Sequence, residues 1–410
     1  MKNILLNTII LLSLIMHVNA QNTVISMDPN YANQIFYSMQ NGEISNISNE
    51  DWDIAFSTNA YSSTIRINDG KGVELYTCHL GDTSYWSAIN SSITNTLTAP
   101  MYNSDTGWSV GAFDINITNG FDYGWGVYSM ITHEIIGDSL FIIKTINGNW
   151  KKLWVEKKVS GTVYFKYADL DGSNLITQNI DATNYNSKNF VYFSLDQNNI
   201  IDREPDASSW DITFTKYITP VQGMPYPVTG VIHNNGVNVA KVENVTSPLS
   251  YTDYSAHVFE KEINTIGYEW KSYQGTYIIT PNLCYFVHDL YGNIWRLVFT
   301  AFEGMSTGNI EFNTELMNSS TSTEHIKEIS SFAIFPNPTS DNSTLIYEVS
   351  ANLPEVIISD MTGRIVYKSL LNKNEFATIE LPTSYLESGI YLVTITENKK
   401  SLFTEKLIVE

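Results

Sequence analysis

Cysteine is almost missing from this chain, with only Cys78 and Cys284 in 410 residues. That excludes a disulfide-stapled scaffold and leaves large hydrophobic cores to hold the fold. The two thiols fall at non-matching places, and buried free thiols fit them better than a bridge. Basic side chains are also scarce, 23 against 43 acidic ones, for a formal charge of −20. Such a balance argues against nucleic acid as a partner, because phosphates call for a basic footprint. After the first twenty residues no apolar run approaches the length of a membrane span. Catalytic signatures are lacking too. There is no Gly-x-Ser-x-Gly elbow and no phosphate-binding glycine loop, and His133-Glu134 has no second histidine four residues on. Glu204 and Asp206 form a carboxylate pair with no fixed separation, so they name no glycosidase. The stretch 169–174 looks like a calcium loop, but its twelfth position is Ile180 where a glutamate belongs. An Asp-Gly hairpin turn is the better reading. From these absences the chain reads as non-enzymatic.

What is present is first an address. Lys2 gives a basic start, residues 4–16 are mostly apolar, and Val18-Asn19-Ala20 supplies small residues for cleavage before Gln21. Residues 1–20 therefore read as a signal peptide, and the mature chain as exported.

The rest reads as all-β. Aromatics make up 13% of the chain, led by 25 Tyr and 18 Phe, and these residues favour half-buried strand faces. Short alternating runs are separated by Asn, Asp and Gly turns. The clearest hairpin joins Leu140–Thr145 to Trp150–Val155 through Asn147-Gly148, whose residues accept the positive φ of a tight turn.

The chain also repeats itself. Tyr37-Ser38 and Trp52-Asp53-Ile54-Ala55-Phe56 return as Phe193-Ser194 and Trp210-Asp211-Ile212-Thr213-Phe214. Tyr123-Gly124-Trp125 with Tyr128 returns as Tyr268-Glu269-Trp270 with Tyr273. Gly148-Asn149 returns as Gly292-Asn293, and Gly161 to Phe165 as Gly308 to Phe312. Two tandem antiparallel β modules follow, over residues 21–184 and 185–317. Long polar stretches, 90–105 and 220–254, read as binding loops or irregular connectors. Residues 318–332 form a Ser/Thr-rich linker, and residues 333–410 a small β-sandwich.

The tail resembles the type A sorting domain of the type IX secretion system. Phe335-Pro336-Asn337-Pro338 opens it, Asp360 with Gly363-Arg364-Ile365-Val366 follows, and Gly389-Ile390-Tyr391-Leu392-Val393 and Lys406-Leu407-Ile408 close it. The resemblance implies passage through the periplasm, recognition by the type IX machinery, and release outside or at the outer surface.

Residues 34–316 resemble the HmuY-like family of secreted haem-binding proteins, on the two Trp-Asp-Ile boxes and the late hairpins. That resemblance implies haem as the cofactor. Many relatives carry His or another polar residue just after the box, where this chain has Ser57 and Thr215, so no axial ligand transfers residue by residue. Haem iron needs an imidazole or thioether donor. His233 and Met224 are the candidates, because the loop 221–227 is rich in Met, Tyr and Pro and feeds the His233 strand. The alternative is surface adhesion, with a polysaccharide or a protein as partner. Aromatic boxes such as Tyr268-Glu269-Trp270 could stack on sugars, although their recurrence suits framework packing better.

Overall fold

The computed structural model describes residues 21–318 and 329–409, apart from short gaps at 60–61, 119–120, 350–353, 373–375 and 398–399. The signal peptide and most of the linker lie outside the described residues. The chain divides into two compact units, residues 1–320 and 321–410. It is all-β, as the composition predicts, and its helical turns are short 3-10 segments.

Among the described residues the body unit contains two outer sheets, two inner ones and a two-stranded sheet of Lys271–Tyr273 with Tyr277–Ile279. One outer sheet runs in the order Ile176–Asp181, Thr162–Asp169, Trp150–Val159, Glu134–Gly137, Gly126–Ser129, with Phe141–Lys144 bridging Trp150–Val159 to Glu74–Thr77. The other runs Gln21–Ser26, Asn309–Asn318, Ile294–Phe302, Cys284–His288, Asn238–Val242. The inner sheets are Asn199–Ile201, Phe190–Ser194, Ile54–Ser57, Ile65–Ile67, and Met224–His233, Ile212–Val221, Asn33–Ser38, Gly42–Ser48.

The inner sheets cross-pair the repeats. The strand that precedes each Trp-Asp-Ile box pairs with the box of the other repeat. Phe193 lies opposite Ile54, and Tyr37 lies opposite Ile212, in the same register. One core therefore joins Ile54, Phe56 and Phe141 to Val191 and Phe193, and the second joins Ile25, Ile35 and Tyr37 to Ile212, Phe214 and Phe312. Packing does not follow a contiguous division at residue 184. Residues 25–39 serve the second core and residues 191–195 the first.

The box aspartates staple this exchange. Asp53 accepts the backbone N–H of Ile146 at 2.8 Å and of Leu195 at 2.7 Å. Asp211 accepts those of Leu290 at 3.4 Å and Met39 at 2.7 Å. Each carboxylate thus ties its own late hairpin to the end of the exchanged strand. The box tryptophans are buried in matching surroundings. Trp52 meets Tyr192 edge-on at 4.9 Å, and Trp210 meets Phe36 edge-on at 5.0 Å.

The outer faces are roofed by segments that read as loops. Lys152 and Arg296 hold the same repeat position and are 2% and 1% exposed. Lys152 Nζ donates to the carbonyl of Trp86 at 3.0 Å, and Arg296 Nη1 to that of Tyr251 at 2.8 Å. A buried cation left unpaired would be costly. Here each head is spent on its roof, and Glu315 pairs with Arg296 as well.

The tail unit is a small sandwich. One sheet holds Ile329–Phe335, Ser343–Val349 and Phe376–Leu381; the other holds Ile365–Leu370, Glu355–Asp360, Gly389–Glu397 and Lys400–Val409. Its motif residues have structural work. Asn337 donates to the carbonyl of Lys406 at 2.6 Å and accepts the N–H of Ile408 at 2.9 Å, so its amide ties the opening motif to the closing strand.

Candidate functional site

The two inner sheets meet at a seam built from polar and aromatic side chains. Arg203 crosses it, donating to Gln34 Oε1 at 2.7 Å and to the carbonyl of Ser48 at 2.6 Å. Glu204 beside it accepts N–H bonds from Asn189 and Phe190, both at 3.1 Å, and the hydroxyl of Tyr192 at 3.0 Å. Burial outweighs those donors and pushes the Glu204 carboxyl up to about 7. Burial likewise raises Asp69 to about 6, against the pull of the Arg66 guanidinium. Arg66 spends its nitrogens on the carbonyls of Gly107 and Ser104, at 2.9 Å each, and lies 5.1 Å from the Trp108 ring.

A cavity of about 60 Å³ sits in this seam, lined by Trp52, Trp108 and Trp210 among others. A drug-sized ligand pocket runs to roughly 300–1,000 Å³. The space suits a few waters, each needing at least about 10–15 Å³. Trp210 Nε1 is buried without a partner among the described residues, and such a water would satisfy it.

The residues named for iron do not come together. His233 and Met224 are the two ends of one strand, Met224–His233. Nine residues of strand separate them by about 30 Å. His233 is 1% exposed, and its Nε2 donates to the carbonyl of Glu262 at 2.8 Å. Burial lowers its pKa, against the pull of the Asn234 and Glu262 carbonyls that its two ring nitrogens face. Met224 is exposed on a hairpin arm. Cys78 and Cys284 are buried, unbonded and in separate clusters. Among the described residues no cluster of His, Cys, Asp and Glu could hold a metal ion.

The aromatic boxes split into framework and surface. Trp125 and Trp270 are buried, and Trp270 stacks on Phe299 at 4.0 Å. The hairpin after each box projects outward instead. In the second repeat Lys271–Tyr273 pairs with Tyr277–Ile279, and Tyr273 lies directly opposite Tyr277. The two rings meet edge-on at 5.2 Å, and Tyr277 rests on Phe302 at 4.6 Å. Tyr273 is 68% exposed. The matching hairpin of the first repeat, Gly126–Ser129 with Glu134–Gly137, exposes Met130 and Ile131 at its tip.

Residues 333–410 match the family model of the secretion system C-terminal sorting domain. The tail is a type IX sorting domain. The chain is therefore exported to the cell surface or exterior through the periplasm, and among the described residues no helix is long and apolar enough to cross a membrane.

A curated relative, the ulvan lyase NLR42 of Nonlabens ulvanivorans, is 26% identical over 120 residues, 28% of this chain and 22% of that protein. The chain thus spans under a quarter of that relative's length. That relative is an enzyme, which corrects the expectation of a non-enzymatic chain. Missing motifs exclude only chemistries that leave a local signature. An acid or base supplied by separate strands has no fixed spacing in sequence. Among solved structures, PorZ, an essential surface component of the type IX secretion system of Porphyromonas gingivalis, is 12% identical over 69% of this chain and 44% of that one, with a TM-score of 0.17. Dimeric latent PorU from the same organism is 9% identical over 92% and 40%, with a TM-score of 0.18. Likenesses this slight carry no argument.

Proposed function

We propose that the exported body engages an extracellular polysaccharide through its second-repeat hairpin. The observation that carries this reading is the Tyr273–Tyr277 pair, exposed at the surface and braced from behind by Phe302. An aromatic ring held rigidly at a surface offers a flat apolar face to a sugar ring at little cost in side-chain entropy. The similarity to an ulvan lyase points the same way. Haem has no comparable support, because the His233 ring is spent on Glu262 inside the fold. Affinity electrophoresis of the full chain through gels loaded with ulvan and other polysaccharides tests the reading. Retardation that weakens in Tyr273→Ala and Tyr277→Ala supports it; migration unaffected by any polymer removes it. A second reading, docking of a partner protein, is favoured by the apolar tip at Met130 and Ile131.

A further inference from the structure

Lys271 begins the same hairpin strand as Tyr273. Side chains two apart on a strand share a face, and cross-strand partners share it too, so Lys271, Tyr273, Tyr277 and Ile279 lie on one face. The Lys271 ammonium sits 4.1 Å from the Trp270 ring centre and 4.8 Å from that of Phe302, and donates to the carbonyl of Thr229 at 2.5 Å. Among the described residues no carboxylate pairs with it. Lys152 and Lys158 also lack a carboxylate partner, but they are only 2% and 6% exposed. Lys271 is half-buried, about 7 Å of strand from an exposed tyrosine.

We propose that the polysaccharide is acidic, of uronate type, with a carboxylate pairing to the Lys271 ammonium while a sugar face lies on Tyr273 and Tyr277. This rests on the polysaccharide reading given above and names its chemical class. The nearby acids are already engaged. Glu269, two residues before Lys271, is held by Lys241 at 2.7 Å, and Glu303 by Thr307 at 2.7 Å and Asn309 at 2.8 Å. Thr229, in strand Met224–His233, is uncharged, and burial pushes the Tyr31 phenol up, which keeps it protonated. The formal charge of −20 opposes a polyanion at long range, and the contact has to be made locally. At physiological salt, charges beyond about 8 Å are largely screened, so a bound carboxylate responds to the cation beside it.

Burial without a counter-charge lowers Lys271 to about 7. A bound carboxylate favours the charged form, so binding takes up a proton and weakens as pH rises past 7. The test uses the full chain with polygalacturonate and with a neutral glucan. Wild type should bind polygalacturonate more tightly at pH 6 than at pH 8.5, by about tenfold. Lys271→Arg should keep the binding at pH 8.5, because guanidinium stays charged. Lys271→Met should bind both polymers alike and lose the pH dependence. Circular dichroism confirms that each variant is folded. If Lys271→Met keeps the acidic preference, or wild type binds both polymers equally, this inference is overturned and the polysaccharide reading stands. If wild type binds neither polymer nor ulvan, both fall.

Discussion

The carboxylate of Asp211 accepts the backbone N–H of Met39 at 2.7 Å across 172 positions of sequence. Asp53 does the same for Leu195 across 142 positions, also at 2.7 Å. The two contacts are images of one another, and they mark where each repeat lends a strand to its twin.

Removing either carboxylate leaves two buried N–H groups without acceptors. Asp53→Ala and Asp211→Ala should each destabilise the body by about 1–3 kcal/mol in urea unfolding. Loss of only a few tenths would show that the staple is dispensable.

Strand exchange predicts that half the body is not half a fold. Residues 21–184 alone leave Asn33–Ser38 without Ile212–Val221 and Ile54–Ser57 without Phe190–Ser194. That fragment should give poorly dispersed amide resonances and no cooperative melt. A sharp, dispersed spectrum would contradict the argument.

Glu204 gives the stability a pH dependence of known sign. Its folded pKa of about 7 lies above its ordinary value of 4.5. The stabilisation it contributes is full below 4.5 and is lost as pH rises to about 7. The melting temperature should fall between pH 5 and pH 7.5. Glu204→Gln should show a smaller fall, with Asp69 and Asp211, each raised to about 6, supplying what remains. An unchanged slope in the variant would remove Glu204 from the account.

Deleting residues 333–410 removes the sorting domain. The body should then fold and accumulate in the periplasm, as fractionation and immunoblotting would show. Normal appearance of the truncated chain in the medium would refute the sorting role.

Much of the fold was legible in the sequence, and the reasons are local. Asn147-Gly148 announces its turn because Gly148 takes a φ of +84°. The tail motif is legible because Asn337 needs a strand to clamp. Pairing partners were not legible. A period of two tells which face of a strand is buried, and nothing about whose strand lies beside it. His233 read as a ligand because it follows a distinctive loop. Its repeat partner is Ile67, a core residue, and that correspondence is the signal for a framework role. Tyr273 was visible as part of a recurring box, yet only the hairpin shows that it escapes the core while Trp270 does not. Lys271 carried no signal at all, because its isolation from carboxylates is a property of three dimensions.

The body's first strand, Gln21–Ser26, pairs with its last, Asn309–Asn318, and Ser26 Oγ reaches the carbonyl of Thr307 across 281 positions. A chain that emerges N-terminus first must hold that opening strand unpartnered until almost the whole body has followed. Closing so distant a contact is slow. The second core is therefore finished last, and a chain cut short near residue 300 should lack a closed second core rather than fold as a slightly smaller body.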